Sequence, residues 1–462
     1  MRVKIVKAEY LQRRRNAGPP RAIIHFPTVG MDPKPVNWET GIEHAAISDV
    51  GLRRSNNQDS YAVALAGAPE LWARRGHLFM VSDGMGAHAA GELASKMATD
   101  TVPHTYNKLL EEPPPGAIRQ AIEDANGRIH TRGQANLDFR GMGTTTSALV
   151  LLPEGALVAH VGDSRVYRVR ENRIEQLSFD HSLVWEMMAA GKIRESEVPS
   201  YIPKNIITRS LGPSAHVQVD LEGPYPLAPG DTFLLCSDWL SGQVSDEEMG
   251  AILGALPPRE AAQMLVDLAN LRGGPDNITV IVIRVGELPR APLAPQTPVR
   301  NRAAARPIHP VVWILLGVLT LATLLLLVAH HFEVAIFTAL GALVVGAALL
   351  VRRFGGAGTQ TGYGQRFGRG PYTSRPCPTN NDFVDKLAKV VAQLREAATE
   401  ENWSIDWTRF NTFDSRAMAA AESKQYQEAV REYGHAMCFM MDEIRGQRRK
   451  KNNGRSPGFD GG

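Results

Sequence analysis

Five aspartates in this 462-residue chain stand where a fold could gather them. Asp83 follows the apolar run Leu78–Ser82 and precedes Gly84-Met85-Gly86. Asp163 follows Ala159-His160-Val161-Gly162, and Asp238 follows Phe233-Leu234-Leu235-Cys236-Ser237. Asp276 lies in Gly273-Gly274-Pro275-Asp276-Asn277, just before another apolar run, and Asp59 closes Arg53-Arg54-Ser55-Asn56-Asn57-Gln58-Asp59. Taken singly, Asp-Gly and Pro-Asp-Asn are ordinary turn chemistry. Together they imply more, because carboxylates collected at strand ends repel one another unless cations neutralise them. All-oxygen ligands select hard divalent ions, Mg²⁺ or Mn²⁺, over Zn²⁺. Neither paired cysteines nor a His-x-x-x-His pattern argues otherwise. Cys236 sits inside an apolar run and reads as core rather than as a nucleophile.

The elements that must position these residues lie in residues 41–287. Strands are expected at Leu78–Ser82, Thr145–Leu151, Ala156–Val161, Arg165–Val169, Asp231–Cys236 and Ile278–Val285. Helices are expected at 88–110, 117–132, 182–191 and 258–271. Tight turns such as Pro153-Glu154-Gly155 join neighbouring strands, which favours antiparallel pairing with helices outside. That is an α+β arrangement rather than a βαβ series.

The order and wording of the segments resemble the PPM family, the type 2C metal-dependent protein phosphatases, in its bacterial branch. Its pieces here are Ser48-Asp49-Val50-Gly51, Arg54 to Asp59, Asp83 to Glu92, Gly141 to Thr145, Val161 to Arg165, Asp180-His181-Ser182, Leu234 to Asp238 and Gly273 to Asn277. The resemblance spans about residues 43–286. It implies a central antiparallel β-sandwich flanked by helices, with a binuclear Mn²⁺ or Mg²⁺ centre at one end. Asp83 would bridge the two ions, with Asp238 and Asp276 completing one site. Asp59 and the Gly84 carbonyl would serve the other, and Asp163 with Asp238 a third, weaker one. Gly84 and Gly86 lack Cβ, which lets the backbone fold tightly near an ion. The implied reaction is hydrolysis of phosphoserine and phosphothreonine on proteins by water activated between two cations.

Arg54 stands where the family places its phosphate-binding arginine, and a guanidinium fork can hold two phosphate oxygens at once. The plainer reading is a solvated surface charge. His88 could protonate the leaving alkoxide or cap the nearby helix. Residues 182–206 look like the family's flap beside the cleft. Trp239 stands where the family usually has Gly. If that position needs φ > 0, a bulky residue costs about 1–2 kcal/mol.

The chain is 44% hydrophobic and 21% charged, with a formal net charge of +3, so its bulk is ordinary globular protein. The positive charge crowds around an apolar segment and in the tail, which points to a membrane surface and not to nucleic acid. Three scattered cysteines suit a reducing compartment. Residues 1–40 read as an extension and 288–309 as a Pro/Ala/Arg linker. Within 310–352, Val311–Ala329 and Val334–Val351 are uncharged and separated only by His330-His331-Phe332-Glu333. Each run rises about 27–28 Å as a helix at ~1.5 Å per residue, close to a hydrocarbon core of ~30 Å. Arg302, Arg306, Arg352 and Arg353 flank the pair. Two transmembrane helices are expected, in a cell inner membrane with both the catalytic part and the C-terminus cytoplasmic.

Residues 353–381 read as a flexible Gly-rich basic linker, 382–445 as a small all-α region and 446–462 as a basic disordered tail. The stretch Ala417 to Ala436 resembles a tetratricopeptide hairpin, though a plain helical bundle fits equally, and a protein partner could dock there. Two other functions remain open: a phosphoprotein-binding module with weak or no turnover, and a membrane scaffold working through residues 382–445.

Overall fold

The computed structural model describes residues 41–87, 89–193, 206–287, 310–330, 332, 334–340, 343 and 366–453. The N-terminal extension 1–40 and the linker 288–309 lie outside these residues, as does most of the second apolar run.

In chain order the elements are β1 (Ile42–Asp49), β2 (Asp59–Ala64), α1 (Pro69–Arg75), β3 (His77–Met85), α2 (Ala90–Lys108), α3 (Pro114–Ala135), β4 (Gly143–Thr144), β5 (Thr146–Leu152), β6 (Gly155–Val161), β7 (Arg165–Arg170) and β8 (Arg173–Gln176). Next come α4 (Leu183–Ala189), β9 (Asp220–Tyr225), β10 (Thr232–Cys236), α5 (Asp238–Gln243), α6 (Asp246–Ala255), α7 (Pro258–Leu271) and β11 (Ile278–Val285). The last are α8 (Pro310–Val328), β12 (Thr373–Pro376), α9 (Asn381–Glu400), α10 (Trp407–Glu422) and α11 (Tyr426–Asn453).

Two antiparallel sheets face each other. One runs β1-β11-β10-β7-β8-β12, and the other β2-β3-β5-β6-β9 with β4 on β3. Strands buried on both faces are expected to be continuously apolar, and β3 shows how one run serves two cores. Phe79 and Val81 point between the sheets with Leu149, Leu151, Phe233, Leu235 and Ile281. Leu78 and Met80 point outward against α2 and α3. This alternation is the period-two geometry of a strand. The α+β sandwich with outer helices matches the sequence expectation. Strands β1, β2, β4, β8, β9 and β12, and helices α1, α5 and α6, were not foreseen.

The opposite face carries two layers of helix. Outward residues of β7, β10 and β11 (Tyr167, Leu234, Val280) pack on α6 and α7. The same buried cluster continues through Phe383, Leu387, Phe410, Ala417, Val430 and Met437 of α9–α11. Helix α7 is therefore buried almost all round, with Met264 to Asn270 continuously enclosed, as a helix between two apolar surfaces must be. Residues 382–445 are indeed all-α, but they share a core with the sandwich rather than stand apart.

Two sequence boundaries need correction. The part of the expected flexible linker that is described, from residue 366 on, is ordered. It bridges Gly223 through Phe367 and then adds β12 to the edge of β8. The expected disordered tail begins as helix, since α11 continues to Asn453.

Helix α8 is 19 residues long. His330 follows it with φ 59, which fits the expected turn. Beyond the turn, residues 334–340 are helical, and Thr323 donates a hydrogen bond to Thr338 at 3.0 Å. Among the described residues no helix is long and apolar enough to cross a membrane, so the two expected transmembrane helices are not supported: α8 ends at Val328, and most of the second run lies outside the described residues.

Candidate active site

The five aspartates are brought to one end of the sandwich by strand register. Asp59 opens β2 and sits directly opposite Asp83 in β3. Asp238 begins α5 immediately after β10, and Asp276 lies in the turn that feeds β11. Asp163 occupies the turn between β6 and β7. Strands β10 and β11 are paired, which sets the Asp238 and Asp276 segments side by side: the Ser237 amide donates to the Thr279 carbonyl at 3.0 Å.

Buried polar groups lock these turns. The Asp83 amide donates to Thr145 Oγ1 at 2.9 Å, and Thr145 Oγ1 meets Ser164 Oγ at 2.8 Å, tying the Asp83 and Asp163 turns together. Asn277 accepts from the Gln58 amide at 2.8 Å and donates to the Val50 and Asn56 carbonyls at 3.0 Å each. It thus fixes the Asn56–Asp59 loop against the Asp276 turn. Gly84 has no room for a side chain, because a Cβ there would collide with the Gly91 carbonyl. That fits the tight backbone expected beside an ion.

The electrostatics show how close the carboxylates are. Burial pushes Asp59 up to about 7, helped by the charges of Asp238 and Asp276. Burial holds Asp83 well above the usual carboxylate range, with Asp59, Asp238 and Asp163 raising it further. Asp163 is likewise raised by burial and then by Asp238, and Asp238 by burial and then by Asp276. Each of these acids feels at least one other member of the set, which is the mutual repulsion a cation would relieve.

Asp59 Oδ2 and Asp163 Oδ1 are buried with no hydrogen-bond partner. Buried acceptors left this way are costly unless a cation or water satisfies them. The all-oxygen set therefore fits Mg²⁺ or Mn²⁺. Among the described residues, no three His, Cys, Asp or Glu side chains already surround one point as ligands to a single ion.

Arg54 is half exposed and its Nη2 lies 2.6 Å from Asp276 Oδ2, so it stands at the edge of this cluster. His88 lies outside the described residues. Trp239 is the second residue of α5 and is not among the residues of positive φ, so the strain considered from the sequence is absent. Its ring lines a cavity next to Asp163 and Asp238. Cys236 is fully buried and burial pushes its thiol up to about 12, as expected for core.

Sequence reading assigned no role to Thr145, Ser164 or Asn277. A hint lay in the polar residues packed around the aspartates, but nothing in their spacing showed which would bond to which.

The protein phosphatase 2C profile matches residues 53–251. Protein phosphatase PhpP of Streptococcus pneumoniae serotype 2 is 37% identical over 257 residues, covering 53% of this chain and 98% of its own length. Serine/threonine phosphatase stp of Listeria monocytogenes serovar 1/2a is 37% identical over 211 residues, 45% of this chain and 83% of its own. The crystal structure of the Mycobacterium tuberculosis phosphatase PstP/Ppp matches at 34% identity and a TM-score of 0.47, over 53% of this chain and 99% of that one. With nearly all of PhpP matched and the aspartate cluster assembled at the end of the sandwich, this chain belongs to the protein phosphatase 2C family of metal-dependent serine/threonine phosphatases.

Proposed function

We propose that this chain hydrolyses phosphoserine and phosphothreonine on proteins at the cytoplasmic face of a membrane. The observation that carries the chemistry is the buried set Asp59, Asp83, Asp163 and Asp238, whose charges raise one another and two of which leave oxygens unpartnered. In this reading Asp83 would hold two Mn²⁺ or Mg²⁺ ions, Asp238 and Asp276 would complete one site, and Asp59 with the Gly84 carbonyl would serve the other. Asp163 with Asp238 fits a third ion. When bound, such ions lower the pKa of water to near neutrality and neutralise charge on phosphoryl oxygens.

The chain's own groups do the rest. Arg54, released from Asp276, offers a planar fork to two phosphate oxygens and orients the ester. Thr145, Ser164 and Asn277 keep the acid-bearing turns in place. His88 is the candidate donor of a proton to the leaving alkoxide. Trp239 does not strain the Asp238 turn, which removes the sequence-based motive for reading the domain as decayed.

Anchoring rests on the uncharged α8, the turn at His330 and the Thr323–Thr338 bond between the two arms. Val318, Leu321, Leu324, Leu325, Ile336 and Phe337 are each more than half exposed. A soluble protein seldom leaves that much apolar side chain in water.

Two measurements test the two parts. Full-length protein with Mn²⁺ should release phosphate from a phosphothreonine peptide, stop on chelation, and lose more than about 100-fold in kcat/KM in Asp83→Asn. Tight phosphopeptide binding with no turnover would instead favour the binding module. After lysis and high-salt or carbonate washing, the protein should stay in the membrane pellet. Release by those washes would refute the anchor.

A further inference from the structure

A cavity of about 1090 Å³ opens beside Asp163 and Asp238. Its aromatic and aliphatic lining comes from three separate parts of the chain. Phe179, Val184, Trp185 and Met188 come from α4 and the turn before it, Trp239 from α5, and Tyr372 from the arm preceding β12. The arm belongs to the C-terminal half and lies well beyond residue 251, where the family match ends.

The arm is fastened across the end of the sandwich. Phe367 bridges Gly223 at the edge of one sheet, and β12 pairs with β8 at the edge of the other. Between these ties, the Gly370 amide donates to Glu222 Oε2 at 3.0 Å, and the Tyr372 hydroxyl donates to Glu222 Oε1. The Tyr372 amide donates to the Gln176 carbonyl at 2.8 Å. A side chain at Gly368 would collide with the Glu222 carboxylate, so the arm can follow this path only without one. Tyr372 is thereby set edge-on to Phe179 at 5.3 Å, and Phe179 edge-on to Trp185 at 5.5 Å.

The charges on these walls are matched with one another. Arg165 pairs with Asp180 at 2.7 Å. Arg375 lies 3.7 Å from Asp246 and 3.4 Å from Glu247. Asp163 and Asp238 belong to the metal cluster. Three polar atoms on these walls, Gln176 Oε1, Trp239 Nε1 and Thr373 Oγ1, lack a hydrogen-bond partner, and the aromatic and aliphatic side chains make up the apolar part of a cavity just above the roughly 300–1,000 Å³ of small-ligand pockets. The cavity reaches the aspartate cluster at Asp163 and Asp238, on the side away from Arg54, so the occupant that fits it is the substrate chain next to the phosphorylated residue.

We infer that this cavity is a specificity pocket for an aromatic or long aliphatic side chain flanking the phosphoserine or phosphothreonine of a substrate protein, with its outer wall supplied by Tyr372 of the C-terminal arm. The inference rests on the phosphatase reading above and adds the substrate feature that reading leaves open. It also gives the C-terminal half a part in choosing substrates.

The test uses full-length protein, Mn²⁺ and a phosphothreonine peptide series in which one flanking position at a time is Phe, Leu, Ala, Lys or Asp. p-Nitrophenyl phosphate, which has no flanking residues, is the reference substrate. Wild type should prefer Phe or Leu over Ala by roughly tenfold in kcat/KM at one or more positions, chiefly through KM. Tyr372→Ala and Trp239→Ala should each compress that ratio to about twofold. Tyr372→Phe, which keeps the ring, should restore it, and thermal melting confirms that each variant is folded. Equal use of all peptides by wild type, or an unchanged ratio in both alanine variants, would overturn the pocket while p-nitrophenyl phosphate turnover left the phosphatase reading standing. Absence of that turnover in wild type would overturn both.

Discussion

The two outer faces of the sandwich are built from similar strands but finished differently. On the β3-β5-β6 face, α2 and α3 are the last layer. Their buried residues (Ala94, Ala98, Val102, Ile118, Ile122) recur on one side, and the other side meets solvent. On the β11-β10-β7 face, α7 is only the middle layer, and α9–α11 cover it. The first face could stand alone. The second depends on chain that comes more than a hundred residues later, since Met264 of α7 lies against Gly434 and the enclosed Asp267 pairs with Arg445, both of α11.

The ion pairs show the same contrast. Lys96–Asp100 on α2 joins two largely exposed side chains, at 68% and 65% of their area. Arg445 of α11 pairs with Asp267 of α7, whose side chain is 0% exposed, and also reaches Asp49 at 3.8 Å. Asp49 in turn accepts from the Gly51 amide at 2.8 Å and from Asn270 at 3.2 Å. The terminal helix therefore braces the root of the loop that carries Arg54.

The sharpest way to break this comparison is Phe410→Ala. Phe410 is fully buried in the C-terminal layer, and losing the ring should cost roughly 3–5 kcal/mol. Because the layer shares a core with the sandwich, calorimetry should show one transition moved to lower temperature. Two separated transitions would show that the faces are independent after all.

Arg445→Ala should cost about 3 kcal/mol at pH 7.5 in urea unfolding, because an enclosed charge loses its partner. Burial already raises the Asp267 carboxyl, and Arg445 is the main group pulling it back. Without Arg445 the folded-state pKa rises further above the unfolded value. Folding then favours the protonated form, so the deficit should shrink as pH falls toward 5. A deficit that did not change with pH would assign the loss to packing.

Glu260→Gln is a milder probe of the same seam. Burial would raise this carboxyl, but the forked Arg431, at 3.0 Å through both nitrogens, and His435 outweigh it and hold it below the usual range. Its contribution is therefore present above pH ~4.5 and lost as pH falls through the lower folded-state value. At pH 7 the variant should lose about 0–1 kcal/mol of stability, and the difference should vanish once the pH has fallen below that folded-state value. At the bottom of the scale, Lys96→Ala on the other face should change the melting temperature by less than one degree or so, as an exposed pair of this kind is worth roughly 0.5 kcal/mol or less. A larger loss there would mean that the two faces do not differ as argued.

Much of the catalytic half was legible. Strands β3, β5, β6, β7, β10 and β11 are dense apolar runs bounded by turn residues, and they fell within one or two residues of their observed bounds except at the end of β3, which runs three residues further to Met85. Strand β1 (Ile-Glu-His-Ala-Ala-Ile-Ser-Asp) was missed because it is an edge strand, only half-buried, and shows no alternation. Strand β9 was missed because Gly223-Pro224 reads as a turn. The aspartates were found because each follows or precedes a recognisable run. Their polar supports were missed because a threonine that bonds across 62 residues looks like any other threonine.

By itself the sequence determined the local matters: which runs could be strands, where turns must fall, which acids would stand at strand ends, and that α9–α11 are amphipathic. Periodicity and turn chemistry act over a few residues, so a short stretch of chain is enough to reveal them. Only the tertiary structure decided that Thr373-Ser374-Arg375-Pro376, four residues with no strand signal and a proline, would become β12. Only it decided that Tyr372 would line the same cavity as Asp163 and Asp238 and that Arg445 would find Asp267, 178 positions away. Such pairings depend on register and on which apolar face covers which, and the free energy that selects them is shared by the whole core rather than stored in either segment.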